Sequence, residues 1–106
     1  MAHDPKRLRD LLADAAPPDL ELAFRPMFGG ILAYAEGKPL ALLSNAGLAL
    51  KAGGALHAEF LAAEGAAPLR YRPAAPASKS YVLVPDWMLS ERATLRSWIE
   101  RASAAL

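Results

Sequence analysis

Residues 31–52 have the sequence ILAYAEGKPLALLSNAGLALKA, in which two short polar breaks separate three apolar runs. The first break is Glu36-Gly37-Lys38 and the second is Asn45-Ala46-Gly47. Glycine and asparagine adopt positive φ at little cost, so both breaks suit tight turns between antiparallel strands. The stretch therefore predicts three short strands in a meander, and with them an antiparallel sheet.

The residues before the meander predict a helix and then a strand. Asp4-Pro5 supplies a side-chain cap followed by a proline at the first helical position, and Pro17-Pro18 ends the helix. Apolar residues recur between them at helical spacing: Leu8, Leu11, Leu12 and Ala15. Over residues 20–24 the apolar side chains alternate as in a half-buried strand, which Pro26 limits.

The residues after the meander predict a helix, a hairpin and a final helix. The helix covers residues 55–63, with Gly65 as its C-terminal cap. Alternating patterns over residues 68–73 and 79–85 predict the two strands of the hairpin. Ser90 is the predicted cap of the final helix. Its apolar stripe is Leu95, Trp98, Ile99, Ala102 and Leu106.

These elements predict one two-layer α+β domain over residues 1–106. Its order is helix, meander, helix, hairpin, helix, with an antiparallel sheet of about five to six short strands and the helices on one face. Such a sheet leaves its other face available, so we include a homodimer among the expectations.

Composition excludes several classes of function. The chain has 106 residues, 54% of them hydrophobic and 22% charged, and no cysteine. It therefore has no disulfide, thiolate nucleophile or cysteine-ligated metal. No apolar run approaches the roughly 20 residues of a membrane span, and the charged N-terminus differs from a secretory signal. We expect a cytoplasmic protein without membrane contact.

Gly29-Gly30 raises the question of a phosphate-binding loop. A helix N-terminus should follow such a loop, but Ile31, Leu32 and Tyr34 predict a strand. The context favours a tight turn. We then expect at least one of the two glycines to have positive φ or to be crossed closely by another backbone segment.

No motif predicts catalysis, a cofactor or a metal site. His3 and His57 are far apart in the sequence, and neither belongs to an HExxH motif. The acidic residues are dispersed, and no serine lies in a GxSxG context. We therefore expect no enzyme activity, no cofactor and no metal.

The basic residues could form a local patch although the net charge is only +1. If Arg25, Arg70 and Arg72 converge on one sheet face, that face could contact an acidic partner or nucleic acid. Direct nucleic-acid binding is not expected, because it needs several phosphate contacts.

The order of residues resembles the TfoX/Sxy N-terminal domain family from about Phe24 to the C-terminus. The resemblance begins with Arg25, Met27-Phe28-Gly29-Gly30, Tyr34 and Gly37, and continues with PLALLSNAGLALK, which ends at Lys51. Further matches are Phe60, Pro68, Tyr71, Tyr81, Pro85, Leu89 and Trp98. Leu40 and Ala49 stand where the family often has aromatic residues.

This resemblance implies a two-layer α+β fold, no catalytic residues and a link to the control of natural competence. The longer relatives carry a second, helical C-terminal domain, which these residues do not match. Those relatives act as coactivators beside a cyclic-AMP receptor protein.

Two functional hypotheses follow from these observations. The first is a non-enzymatic regulatory domain that binds another protein, for which a transcription regulator is a candidate. Its candidate interaction surface is Arg25, Met27, Phe28, Gly29, Gly30, Tyr34, Lys51, Arg70 and Arg72. The alternative is a small-molecule-binding or enzymatic domain that uses the Gly29-Gly30 turn with Arg25 and Tyr34. A deep pocket with converging titratable groups beside Gly30 would favour the alternative.

Overall fold

Four consecutive strands in the first half of the chain form the core of the sheet. The computed structural model describes residues 3–70, 72 and 74–106. The strands are β1 (Leu22–Met27), β2 (Gly30–Ala35), β3 (Lys38–Ser44) and β4 (Gly47–Lys51). The last three are the meander predicted from residues 31–52. β1 corresponds to the strand predicted over residues 20–24, but it includes Pro26, which an edge strand tolerates, and extends to Met27.

The later strands complete an open antiparallel sheet. They are β5 (Ala67–Pro68) and β6 (Tyr81–Leu83), and the sheet order is β1-β2-β3-β4-β6-β5. β6 pairs with β4, so the second hairpin extends the meander at the edge opposite β1. Six strands in the described residues confirm the predicted antiparallel α+β fold.

Three helices cover one face of this sheet. They are α1 (Pro5–Ala15), α2 (Gly54–Leu61) and α3 (Arg92–Ala104). Asp4 caps α1 as predicted, since its carboxylate accepts the backbone N–H of Lys6 at 3.1 Å. None of the helices described here has the length and apolar character that crossing a membrane requires.

The main hydrophobic core lies between the helices and the sheet. It contains Leu12 of α1, Leu43 and Leu48 of the central strands, and Ile99 of α3, all fully buried. Phe60 of α2 joins the same core. The predicted placement of the helices on one face is therefore confirmed.

A register shift between β2 and β3 places two consecutive residues of β3 in the main core. Ala33 pairs with Ala41 but Tyr34 pairs with Pro39, which leaves Leu40 unmatched in the ladder. Leu40 and Ala41 consequently both pack into the main core, although neighbours in a regular strand point to opposite faces.

A smaller cluster covers the opposite side of the sheet, which we call the outer face. Leu42 and Ala49 point to this side, and Leu69 folds over them from the connection between β5 and β6. Met27, Leu32, Tyr81 and Leu83 pack around these three residues. The outer face is therefore partly covered by the chain's own Leu69.

Among the described residues, the predicted strand over residues 68–73 is confirmed at Pro68 and is wrong at Leu69, Arg70 and Arg72. β5 ends at Pro68, and Tyr71 and Pro73 lie outside the described residues. Beyond Pro68 the Arg70 guanidinium donates to the Ala75 carbonyl at 2.7 Å. The Ser78 N–H donates to the Leu69 carbonyl at 2.7 Å, so the chain turns back between these two residues. The Leu69 N–H still donates to the Tyr81 carbonyl at 3.1 Å, so hydrogen bonding to β6 continues for one residue beyond β5. Arg70 and Arg72 are not part of a strand.

The predicted cap of the final helix is also wrong. Residues Asp86–Ser90 form a 3₁₀ helix, and α3 starts at Arg92 with Glu91 as its N-cap. The Ser90 hydroxyl donates to the Trp87 carbonyl at 3.2 Å, within the preceding turn. Ser90 therefore stabilises the 3₁₀ turn instead of capping α3.

Candidate interaction surface

The turn between β1 and β2 consists of two residues, Phe28 and Gly29. Met27 and Gly30 pair across it, and φ is +46° at Phe28 and +81° at Gly29. Positive φ at both central residues is the pattern of a type I′ hairpin turn, which matches the twist of the flanking strands. The expectation that one of the two glycines has positive φ is confirmed at Gly29.

Gly30 is crossed closely by another backbone segment, which was the other form of that expectation. A Cβ atom at this position would lie 2.6 Å from the carbonyl oxygen of Leu43, a contact that real Cβ atoms do not make. Only glycine lets β2 approach β3 this closely. Both glycines thus have backbone roles in the hairpin.

Phe28 has an unfavourable position for an aromatic residue. Its side chain is fully exposed, and a bulky residue at positive φ is strained. Trp87, the other large exposed hydrophobic among the described residues, is only half exposed and donates its indole N–H to the Glu64 carbonyl at 2.7 Å. The hairpin tip therefore presents an aromatic ring that the fold does not use.

An apolar groove of about 500 Å³ borders Phe28 on the outer face. We call it the hairpin groove. Its apolar lining includes Met27, Leu42 and Leu69, which belong to the smaller hydrophobic cluster. The remaining lining residues are Phe28, Gly30, Ser44, Asn45, Ala46 and Arg70. Four residues of the predicted interaction surface therefore line the hairpin groove: Met27, Phe28, Gly30 and Arg70.

A second open groove, of about 510 Å³, borders Phe28 and Gly29 on the helix side. The start of α1 contributes Asp4, Lys6 and Arg9 to its lining. Asp4 already caps α1, and the Arg9 Nε lies 3.4 Å from a carboxylate oxygen of Asp10. No local sequence signal links these residues to the hairpin, because they lie some twenty residues before it.

Arg25 and Tyr34 form a pair on the outer face. The Arg25 guanidinium carbon lies 5.8 Å from the centroid of the Tyr34 ring, a distance typical of a cation–π contact. Arg25 is opposite Leu32 in the strand register, so it shares the face of the smaller cluster. Neither Arg25 nor Tyr34 lines the two grooves beside Gly30. The constellation of the alternative hypothesis is therefore not assembled in either groove.

The last two predicted surface residues lie apart from the hairpin groove. Lys51 is at the opposite end of β4, where it borders a separate cavity of about 400 Å³ with Lys38 and Gly53. Arg72 is exposed in the connection between β5 and β6, and its carbonyl accepts the N–H of Ala75 at 2.9 Å. The predicted set thus divides into a cluster at the hairpin, the Arg25–Tyr34 pair and two separate basic residues.

Charged residues are distributed unevenly between the strands and the rest of the chain. No Asp or Glu occurs in any of the six strands or in residues 66–80, although the chain has 11 acidic residues. Half of the 12 basic residues are found there: Arg25, Lys38, Lys51, Arg70, Arg72 and Lys79. The strands and residues 66–80 therefore carry a net positive charge, and the helices with the remaining connections carry all the negative charge.

Among the residues with described positions, no group of three or more His, Asp or Glu side chains lies close enough to hold a metal ion. The grooves at the hairpin offer an exposed ring, apolar walls and basic side chains. Such an arrangement is suited to contact with another molecule's surface.

Comparison with known proteins identifies the family. No curated protein matches the chain. The family model of the TfoX N-terminal domain matches residues 10–106, which include all the strands described above and α1 from Asp10 onward. The chain therefore belongs to the TfoX N-terminal domain family.

Proposed function

We propose that this domain is a non-enzymatic regulatory module that binds another protein through the β1–β2 hairpin. Family membership over residues 10–106 supports a TfoX-like role in regulating transcription during competence. We expect a transcription regulator as the partner and the cytoplasm as the location. The proposal requires no cofactor.

The exposed ring of Phe28 is the observation that carries this proposal. Asn or Gly adopts the positive φ of a type I′ turn with less conformational strain than Phe. The side chain buries nothing within the domain, so folding does not compensate for its strain. An exposed residue that lowers the stability of the fold and packs against nothing is typical of a functional surface, where activity is gained at the expense of stability.

We predict that Phe28→Asn separates stability from binding. Relief of the unfavourable φ should raise the free energy of unfolding by about 0.5–1 kcal/mol, measured by urea denaturation. The same variant should lose its partner, because it removes the aromatic contact. Phe28→Tyr is the matched control, since it keeps the ring at the same strained position and should keep the partner.

The partner is detected by cross-linking in cells. A photoreactive phenylalanine analogue at position 28 should cross-link to a transcription regulator, and the same group at the exposed Arg7 position on α1 should not. Capture of the same regulator from position 7 as from position 28 would refute the proposal, and so would a Phe28→Asn variant that retains the partner in an affinity pull-down.

A further inference from the structure

We infer that the hairpin groove receives an acidic segment of a partner protein, anchored by an apolar side chain. This inference rests on the proposed function, because it specifies the chemistry of the partner that contacts the hairpin. Apolar walls, basic neighbours and the charge distribution at the groove support it.

The apolar walls define the anchor. Met27, Leu42 and Leu69 line a space of about 500 Å³, large enough for one branched or aromatic side chain with its flanking backbone. Ser44 and Asn45 are at the same groove and offer polar groups to a peptide backbone. A central apolar anchor within a polar rim is the usual arrangement of a protein contact site.

The basic neighbours define the flanking residues of the partner. Arg70 borders the groove and uses one terminal N–H to bind the Ala75 carbonyl at 2.7 Å. This bond orients the guanidinium, whose other N–H groups can pair with a carboxylate. Arg25, held against Tyr34, lies on the same face two strands from Leu42. Both cations are positioned before any partner arrives.

The charge distribution selects a protein segment over other occupants. No Asp or Glu is among the residues that line the hairpin groove, so none of them repels an acidic chain. A second copy that docked through the same face would place Arg25 and Arg70 opposite like charges. A nucleic-acid duplex would engage the cations, but its bases are stacked inside the helix and would leave the apolar walls without a matching group.

The test uses a short capped peptide with one central leucine between Asp and Glu residues. We expect it to perturb the backbone NMR signals of Met27, Ser44 and Arg70 in the isotope-labelled domain. Two control peptides should bind at least about tenfold more weakly. One replaces the leucine by serine, and the other replaces the acids by Asn and Gln.

Matched variants locate the binding site. Arg70→Gln and Arg25→Gln should each weaken binding of the leucine peptide by about tenfold. Arg7→Gln removes the same charge from α1 and should leave the affinity unchanged. A thermal melt of each variant shows whether it remains folded. Arg25 provides an independent test if Arg70→Gln disturbs residues 69–80.

Four results would overturn the inference. These are equal binding of either control peptide, equal binding after loss of both arginines, tighter binding of DNA of the same net charge, and a dimer in light scattering that the peptide does not dissociate. The proposed function is tested separately. If cross-linking at position 28 captures a regulator while the acidic peptide does not bind, only the present inference fails.

Discussion

Gly30 has a structural role at the scale of a single residue. Its α-carbon faces the Leu43 carbonyl so closely that a methyl group would lie 2.6 Å from the oxygen. The obstacle is backbone in the middle of the sheet, so a change of side-chain rotamer cannot relieve it.

We predict that Gly30→Ala lowers the free energy of unfolding by about 1–3 kcal/mol, through overpacking against β3. Urea denaturation measures the change. Gly53→Ser is the control, because no atom lies within 4 Å of a Cβ at that position and Ser is a favourable helix cap. Equal stability of the two variants would contradict this explanation of Gly30.

Arg96 connects two helices at the scale of secondary-structure elements. The last turn of α1 has no basic residue, and neither the cap residue Ala16 nor Pro17 after it is a glycine. Arg96 of α3 instead donates from Nε to the Ala15 carbonyl at 2.8 Å and from a terminal nitrogen to the Ala16 carbonyl at 3.4 Å. One side chain thus satisfies the end of another helix.

We predict that Arg96→Gln costs about 1–3 kcal/mol of stability, because hydrogen bonds to a charged donor are among the stronger ones and the carbonyls are partly buried. Arg92→Gln is the matched control. It removes an exposed ion pair with Asp14 between the same two helices, and such pairs contribute about 1 kcal/mol or less. Equal losses in the two variants would mean that Arg96 acts only by its charge.

The stacked rings of Phe60 and Trp98 hold the helix layer together at the scale of the whole molecule. Their centroids are 4.0 Å apart and their planes differ by 6°. Phe60 is fully buried and is the one buried residue of α2, so this stack supplies much of the attachment of α2 to the rest of the domain.

We predict that Phe60→Ala costs about 3–5 kcal/mol, as expected for the loss of a buried aromatic ring. Denaturation monitored by tryptophan fluorescence measures this, because Trp98 reports on the contact. Phe28→Ala deletes the same atoms from an exposed position and should cost far less. A comparable loss at position 28 would show that Phe28 packs in solution.

Prediction from the sequence succeeded where the determining interactions are local. The breaks at Glu36-Gly37-Lys38 and Asn45-Ala46-Gly47 produced the expected turns, and Asp4 caps α1. Prediction from the sequence failed where contacts formed in the folded protein outweigh the local pattern of apolar and polar residues. Residues 68–73 alternate like a strand, but Arg70 and Ser78 hydrogen-bond within a turned segment.

The candidate site was predictable only in part for the same reason. The Gly29-Gly30 context predicted a turn, and that turn exposes Phe28. Leu42 and Leu69 line the hairpin groove together only because Leu69 packs against Leu42 on the outer face. The sequence pattern around Leu42 does not indicate this contact, and neither does the pattern around Leu69.

By itself the sequence determined the helices, the meander, the antiparallel sheet and the hairpin turn. These depend on alternation, helical spacing and φ preferences, which act between residues close together in the chain. Tertiary structure alone decided the pairing of β6 with β4 and the capping of α1 by Arg96. Those features depend on contacts between distant segments, and their energies exist only after the chain has folded.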